Sequence, residues 1–172
     1  MSGAAGAVAV EECAVQIANV HDKPGYLIRR CQQIAVALFL ERCADFGLTP
    51  LQYAVLRAAE AQPGLDQISL AGATALDRSS IARLCLALEQ RGLLHRATDP
   101  QDRRVRRLSL TREGHALLQR AEPAVQRMQE DLLAPLRPPE RAAFLAALRT
   151  LAAAHNDASR APLRPPAGDE AA

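Results

Sequence analysis

The feature that most narrows the choice of fold is a change of hydrophobic period at Gly92. Upstream, Asp77 is followed by apolar residues at Ile81, Leu84, Cys85 and Leu88. Spacings of three and four put them on one face of a helix, expected over residues 78–91 with Asp77 as its cap. Gly92 stands where a helix-terminating glycine belongs. Downstream the period falls to two. Residues 93–97 read as a strand, 98–104 with its Asp-Pro as a loop, and 105–110 as a second strand. That second strand sets Leu108 and Leu110 on one face, Arg107 and Ser109 on the other. A short helix therefore feeds directly into a hairpin.

The rest of the chain reads as helix. Leu27, Cys31, Ile34, Leu38 and Phe39 keep helical spacing from Pro24 to about Asp45, and Gly47 ends that segment. Thr49-Pro50 pairs a cap with proline at the first helical position. Leu51, Val55, Leu56 and Ala59 carry this second helix, which Pro63-Gly64 stops. Asp66 opens a third helix near 67–73, and Thr74-Ala75-Leu76 makes a tight turn into the helix at 78. After the hairpin, Thr111 caps a helix to about Ala134 striped by Leu117, Leu118, Ala121, Val125 and Leu132, and Pro123 is expected to kink it. Pro138-Pro139-Glu140 starts a last helix with Phe144, Leu148 and Leu151 expected inward.

The predicted fold is mainly α with a small β-hairpin wing, in the order α-α-α-α-β-β-α-α. It is a winged helix-turn-helix at about 49–111, flanked by long helices at about 24–46 and 112–157. A winged unit does not need those flanking helices to form its core. Pairing with a second copy buries their apolar stripes economically, since two-fold dimers are the commonest homo-oligomers. One domain at 23–157 is expected, with flexible tails at 1–22 and 158–172 (the first Ala/Gly/Val-rich, the second rich in Pro and Ala).

Charge points to a partner. Nine arginines and three acids between Arg78 and Arg112 leave a local surplus of +6, whereas the remaining twelve basic and sixteen acidic residues leave −4. A concentrated cationic patch on a near-neutral chain suits a polyanion. The second helix of a helix-turn-helix presents its N-terminal residues to base edges in the major groove. Here these are Arg78, Ser79, Ser80, Ala82 and Arg83. Arginine can fork onto guanine, serine can serve bases or phosphates, and a helix N-terminus favours phosphate. Arg103 and Arg104 at the hairpin tip, followed by Arg106, suit a narrow minor groove. Asp102 is positioned to hold Arg104 in one pose by a charge-assisted bond. A solvated polar face and turn is the competing reading for both segments.

The tract DRSSIARLCLALEQRGLLHRATDPQDRRVRRLSLTREGHALL, residues 77–118, resembles the MarR family of winged-helix regulators. It holds that family's recognition helix, the L-x-x-R-G-L turn, the D-P-x-D-R-R wing and the L-T-x-x-G lead into the next helix. The likeness runs from about Pro24 to Ala154. It implies a homodimer held by the terminal helices, a palindromic double-stranded operator, and release by a small aromatic carboxylate. The segment DKPGYLIRRCQQIAVALFL is similar to regulators of nicotinate catabolism, which implies a pyridine carboxylic acid such as 6-hydroxynicotinate as effector. Arg29 and Arg30 could clamp its carboxylate, and His21, Tyr26 and Tyr53 could supply hydrogen bonds or a ring face. Solvated or intersubunit charges for the arginines, and plain packing for Tyr53, stay open.

Other classes have less support. No phosphate loop, GxGxxG, HExxH or GxSxG motif is present, and catalysis is not expected. Aromatic residues at 3% disfavour a stacking platform for single strands. The peroxide-sensing branch of the resembled family carries its cysteine where Gly25 falls here. Cys31 and Cys43 read as packing residues, and a bound metal or other cofactor is not expected. A redox- or metal-sensing repressor, a helical dimerisation module without DNA binding, and an enzyme remain the alternatives. No apolar run exceeds seven residues, as in Ile34 to Leu40, far short of the ~20 needed to span a bilayer. The first residues carry no basic segment of a secretory signal. No membrane partner and a cytoplasmic location are expected.

Overall fold

A computed structural model describes residues 19–102 and 105–164. The chain divides into two compact units, residues 1–34 and 35–172. Its helices are α1 (Pro24–Arg42), α2 (Pro50–Ala61), α3 (Gln67–Ala73), α4 (Arg78–Gln90), α5 (Arg112–Leu133) and α6 (Pro138–Ala154). Its strands are β1 (Leu65–Asp66), β2 (Leu94–Thr98) and β3 (Arg106–Leu110).

The described part of the first unit holds a 3-10 turn at Val20–Asp22 and the first residues of α1. Asn19 caps the turn by accepting the His21 N–H at 3.0 Å. This turn lies at the end of the segment expected as N-terminal tail. Leu27, Ile28 and Ile34 are all exposed in the single chain.

In the second unit α2 packs on α3, α4, α5 and β3. Val55, Leu56, Leu70, Ile81, Cys85, Leu88, Leu108 and Leu118 form the solvent-free centre. The wing has three strands, not two, in the order β1-β3-β2 and antiparallel throughout. β1 escapes a reading by period because two residues carry no periodicity. Its pairing partners Leu108 and Arg107 define it, and Asp66 also caps α3 by accepting the Ser69 N–H at 2.8 Å.

Two joints position the wing against α4. Gly92 has φ +69°, and the N–H groups of Leu93 and Gly92 donate to the carbonyls of Leu88 and Glu89, both at 2.9 Å. Those are the paired bonds of a Schellman stop, with Leu88 and Leu93 buried beside them. Thr111 then accepts the Gly114 N–H at 3.0 Å and donates its hydroxyl to the Gly92 carbonyl at 2.6 Å. The start of α5 is thus tied to the end of α4.

Two expectations about the long helices are corrected. The stripe of α5 (Leu117, Leu118, Ala121, Val125) is buried in its own protomer's core, against α2, while the helix runs to Leu133 with Pro123 inside it, as expected. In α6, Phe144, Leu148 and Leu151 point outward, 38%, 38% and 48% exposed. The stretch from Ser159 to Arg164 lies within the segment expected as tail and makes hydrogen bonds to the rest of the unit. Asn156 accepts the Leu163 N–H at 2.8 Å and donates to its carbonyl at 3.1 Å, while the Arg164 N–H donates to the Gly72 carbonyl at 2.9 Å.

Candidate nucleic-acid interface

The start of α4 is organised by one carboxylate. Asp77 Oδ1 accepts the N–H groups of Ser79 and Ser80 at 3.0 and 2.9 Å and the Ser79 hydroxyl at 2.6 Å. Its Oδ2 accepts the Ser80 hydroxyl at 2.9 Å. These bonds, the Ser79 hydroxyl first, hold Asp77 well below the usual carboxylate range. Two expectations change. The α4 N-terminus is not an open phosphate site, because Asp77 already occupies the N–H groups of Ser79 and Ser80. The serine hydroxyls are not unengaged, because each directs its proton at Asp77. Arg78 and Arg83 are exposed, and their side chains make no hydrogen bond or ion pair among the described residues.

The wing loop is built around Asp99, only 8% exposed. It accepts the N–H groups of Gln101 and Asp102 at 2.7 and 3.3 Å and the Arg107 Nε at 2.7 Å. The Gln101 N–H and then Arg107 keep its carboxyl below the ordinary range. Arg107 also donates Nη1 to the Gly64 carbonyl at 3.2 Å, linking the loop to the turn before β1. Sequence reading passed over Asp99. Its signal was the Asp-Pro turn start eight residues before an arginine in the facing strand. Arg106 is exposed and donates to Thr98 Oγ1 across β2 and β3. Asp102 is exposed, and its carbonyl accepts the Val105 N–H at 2.9 Å. Arg103 and Arg104 lie outside the described residues, and with them the expected Asp102–Arg104 bond.

The cationic surplus is thereby redistributed. Arg91 donates to the Gly47 and Phe46 carbonyls at 2.8 and 3.2 Å. Arg96 pairs with Glu89 at 2.9 Å and Arg107 with Asp99 at 2.7 Å. These three arginines brace the lobe. Arg78 and Arg83 keep their guanidinium groups open to a partner.

Within the first unit, the expected effector-binding residues His21, Tyr26 and Arg29 come together. The His21 and Tyr26 rings meet edge to face at 4.9 Å, and the Arg29 guanidinium lies 5.0 Å from the Tyr26 ring centre. Arg30 is exposed and joins no described contact. Tyr53, in the second unit, is half-buried against Phe39 and donates its hydroxyl to Glu122 Oε2 at 2.7 Å. Burial first, then the Glu122 bond, push its phenol up to about 12. The packing reading of Tyr53 thus describes its ring, and its hydroxyl proton is already committed.

Cys43 and Cys85 are buried, and burial raises both thiols, Cys85 to about 11. Cys31 is exposed instead, which corrects its reading as a packing residue. Among the described residues no cluster of three or more His, Cys, Asp or Glu could hold a metal ion, and no helix is long and apolar enough to cross a membrane.

Comparison with known proteins agrees with this lobe. The model of the MarR family matches residues 48–105. The chain is 32% identical over 133 residues to the HTH-type transcriptional repressor NicR of Pseudomonas putida, covering 77% of this chain and 84% of that one. A structure of Bordetella bronchiseptica BpsR, described as regulated in DNA binding by 6-hydroxynicotinic acid, superposes with a TM-score of 0.74. It is 31% identical and covers 78% of this chain and 96% of that one. The repressor CouR, solved on a 23-mer DNA duplex, superposes with a TM-score of 0.72 at 37% identity, covering 76% of this chain and 92% of CouR.

Proposed function

Since the chain belongs to the MarR family of transcriptional regulators, we propose that it is a homodimeric repressor whose grip on a palindromic operator is released by a small aromatic or pyridine carboxylate. The observation that carries this reading is the pairing of two open arginines on α4 with a cross-braced wing on the same lobe. Arg78 and Arg83 enter the major groove with Ser79 and Ser80 between them. Arg103 and Arg104 on the wing, with Arg106 behind them, serve the flanking minor groove, and Asp102 steadies Arg104.

The apolar residues left in water support dimerisation. Leu27, Ile28 and Ile34 of the first unit, and Leu40, Phe144, Leu148 and Leu151 of the second, are each between 38% and 51% exposed. Burying apolar surface is worth about 25 cal/mol per Å², and a second copy supplies a matching face. Two α4 helices one helical turn apart, roughly 34–36 Å, then read a two-fold symmetric site.

6-Hydroxynicotinate is the effector favoured by likeness to BpsR, whose DNA binding is described as regulated by 6-hydroxynicotinic acid. Arg29 and Arg30 offer a carboxylate partner, and His21 and Tyr26 a ring face. Tyr53, in the second unit, is a separate candidate that could offer only its ring, since its hydroxyl serves Glu122. A ligand displaces an operator only if it binds the released state more tightly than the bound one. The test is gel-shift binding of the purified chain to its genomic upstream fragments with and without 6-hydroxynicotinate, paired with a thermal-shift series. 6-Hydroxynicotinate is expected to raise the Tm and free the DNA, and benzoate to do much less. The reverse ranking refutes the effector class. Unchanged affinity and salt slope in Arg104→Ala refutes the wing role.

A further inference from the structure

The geometry at the start of α4 points to a rule for how this chain reads base edges: we infer that, toward DNA, Ser79 and Ser80 can only accept hydrogen bonds, so the groups they select are the exocyclic amines of adenine and cytosine. The inference rests on the DNA-binding reading above and adds to it the chemical identity of the contact.

A serine hydroxyl has one proton and two lone pairs, and it ordinarily turns to suit donor or acceptor. Here that freedom is removed. The Ser79 hydroxyl lies 2.6 Å from Asp77 Oδ1 and the Ser80 hydroxyl 2.9 Å from Oδ2. An ionised carboxylate only accepts, so in both pairs the proton lies between serine and Asp77. The lone pairs of the exposed Ser79 are what α4 offers outward. In the major groove the donors are adenine N6 and cytosine N4. Guanine N7 and O6, adenine N7 and thymine O4 are acceptors, as phosphate oxygens are. A hydroxyl without a spare proton cannot serve any acceptor. Those are left to Arg78 and Arg83, which only donate. The division is complementary: serines for amines, arginines for ring nitrogens, carbonyls and phosphates. Asp77 acts as a positioning residue, and the same carboxylate repels phosphate from the serines.

The test starts from the shortest duplex that the full-length chain selects from a random library. One series of duplexes replaces each dA by the purine lacking N6, or each dC by the pyrimidinone lacking N4. A second series replaces each purine by its 7-deaza form. Losing one net hydrogen bond costs roughly three- to tenfold in affinity. In the wild type, amine removal at one or two positions is expected to weaken binding by that factor. In Ser79→Ala the sensitivity at one of those positions should vanish, while 7-deaza sensitivity persists. Asp77→Asn keeps a good helix cap, so the fold and Tm are retained. Its amide has one accepting oxygen, so a serine proton is released and the amine sensitivity should relax. The inference is overturned if Ser79→Ala abolishes sensitivity at a 7-deaza position instead. It is equally overturned if no amine-dependent position responds to Ser79→Ala or to the matching Ser80→Ala. Failure of the wild-type chain to select any duplex would instead sink the DNA-binding reading itself.

Discussion

Gly114 lies at the joint that aims the wing, and replacing it tests the account of that joint. A Cβ built there would sit 2.3 Å from the Leu93 carbonyl oxygen, 2.6 Å from Leu110 Cδ2 and 3.2 Å from the Leu93 carbonyl carbon. Ordinary contact begins at 3.4 Å, so backbone must move by about 1 Å. The Leu93 carbonyl cannot yield without loosening the Thr111 N–H that it accepts at 3.1 Å. Overpacking of this kind costs about 1–3 kcal/mol, and the weakened hydrogen bond about 1 kcal/mol more. Alanine returns up to about 1 kcal/mol in helix propensity. The net expectation is a loss of about 2 kcal/mol. A chain of this size loses roughly 2–4 °C per kcal/mol, so Gly114→Ala should melt about 4–8 °C lower. The assay is a circular-dichroism melt at fixed protomer concentration, because dimerisation makes Tm depend on concentration. Gly25→Ala is the control, since nothing lies within 4 Å of its Cβ position. A Gly114→Ala Tm within about 1 °C of wild type would refute the close-approach argument.

Three further outcomes are expected. Tyr53 should keep its phenolic proton until about pH 12, above the ordinary 10.0. Its bond to Glu122 therefore supports the native state below pH 10 and is lost as pH rises from 10 to 12. Ultraviolet titration at the phenolate band, with Tyr53→Phe as reference, should show one tyrosine titrating late, and two ordinary titrations would contradict the contact. Asp99→Ala should weaken operator binding while leaving helix content unchanged, because the wing loop loses the acceptor for Gln101, Asp102 and Arg107; fluorescence anisotropy on labelled operator measures it, and undiminished affinity would show that the brace is idle. Gly72→Ala would place its Cβ 3.1 Å from the Arg164 carbonyl oxygen and should release the segment after Ser159, read as faster proteolysis there. The propensity gain in α3 should meanwhile keep the global melt within about 1 kcal/mol of wild type.

Local grammar made the helix-turn-helix legible. Asp77, Thr111 and Gly92 announce their roles by residue type, because caps and left-handed stops are decided within four or five residues. The alternation in 105–110 likewise identified the wing, and Arg78 and Arg83 stood out as cations at a recognition position. Asp99 did not stand out, because its worth comes from Arg107 on the opposite strand. Nor did the captive protons of Ser79 and Ser80, since a hydroxyl's role depends on where a neighbouring carboxylate points.

By itself the sequence determined the six helices and the two longer wing strands to within a few residues, and which lobe of the chain is cationic. These follow from side-chain period, backbone freedom and charge, all properties of near neighbours along the chain. The tertiary structure alone decided which arginines remain available to a partner and that α5 spends its stripe on its own core. It also decided that Phe144, Leu148 and Leu151 are left facing water. Those outcomes depend on groups brought together from distant positions, where one carbonyl or carboxylate settles whether a side chain is brace or reader.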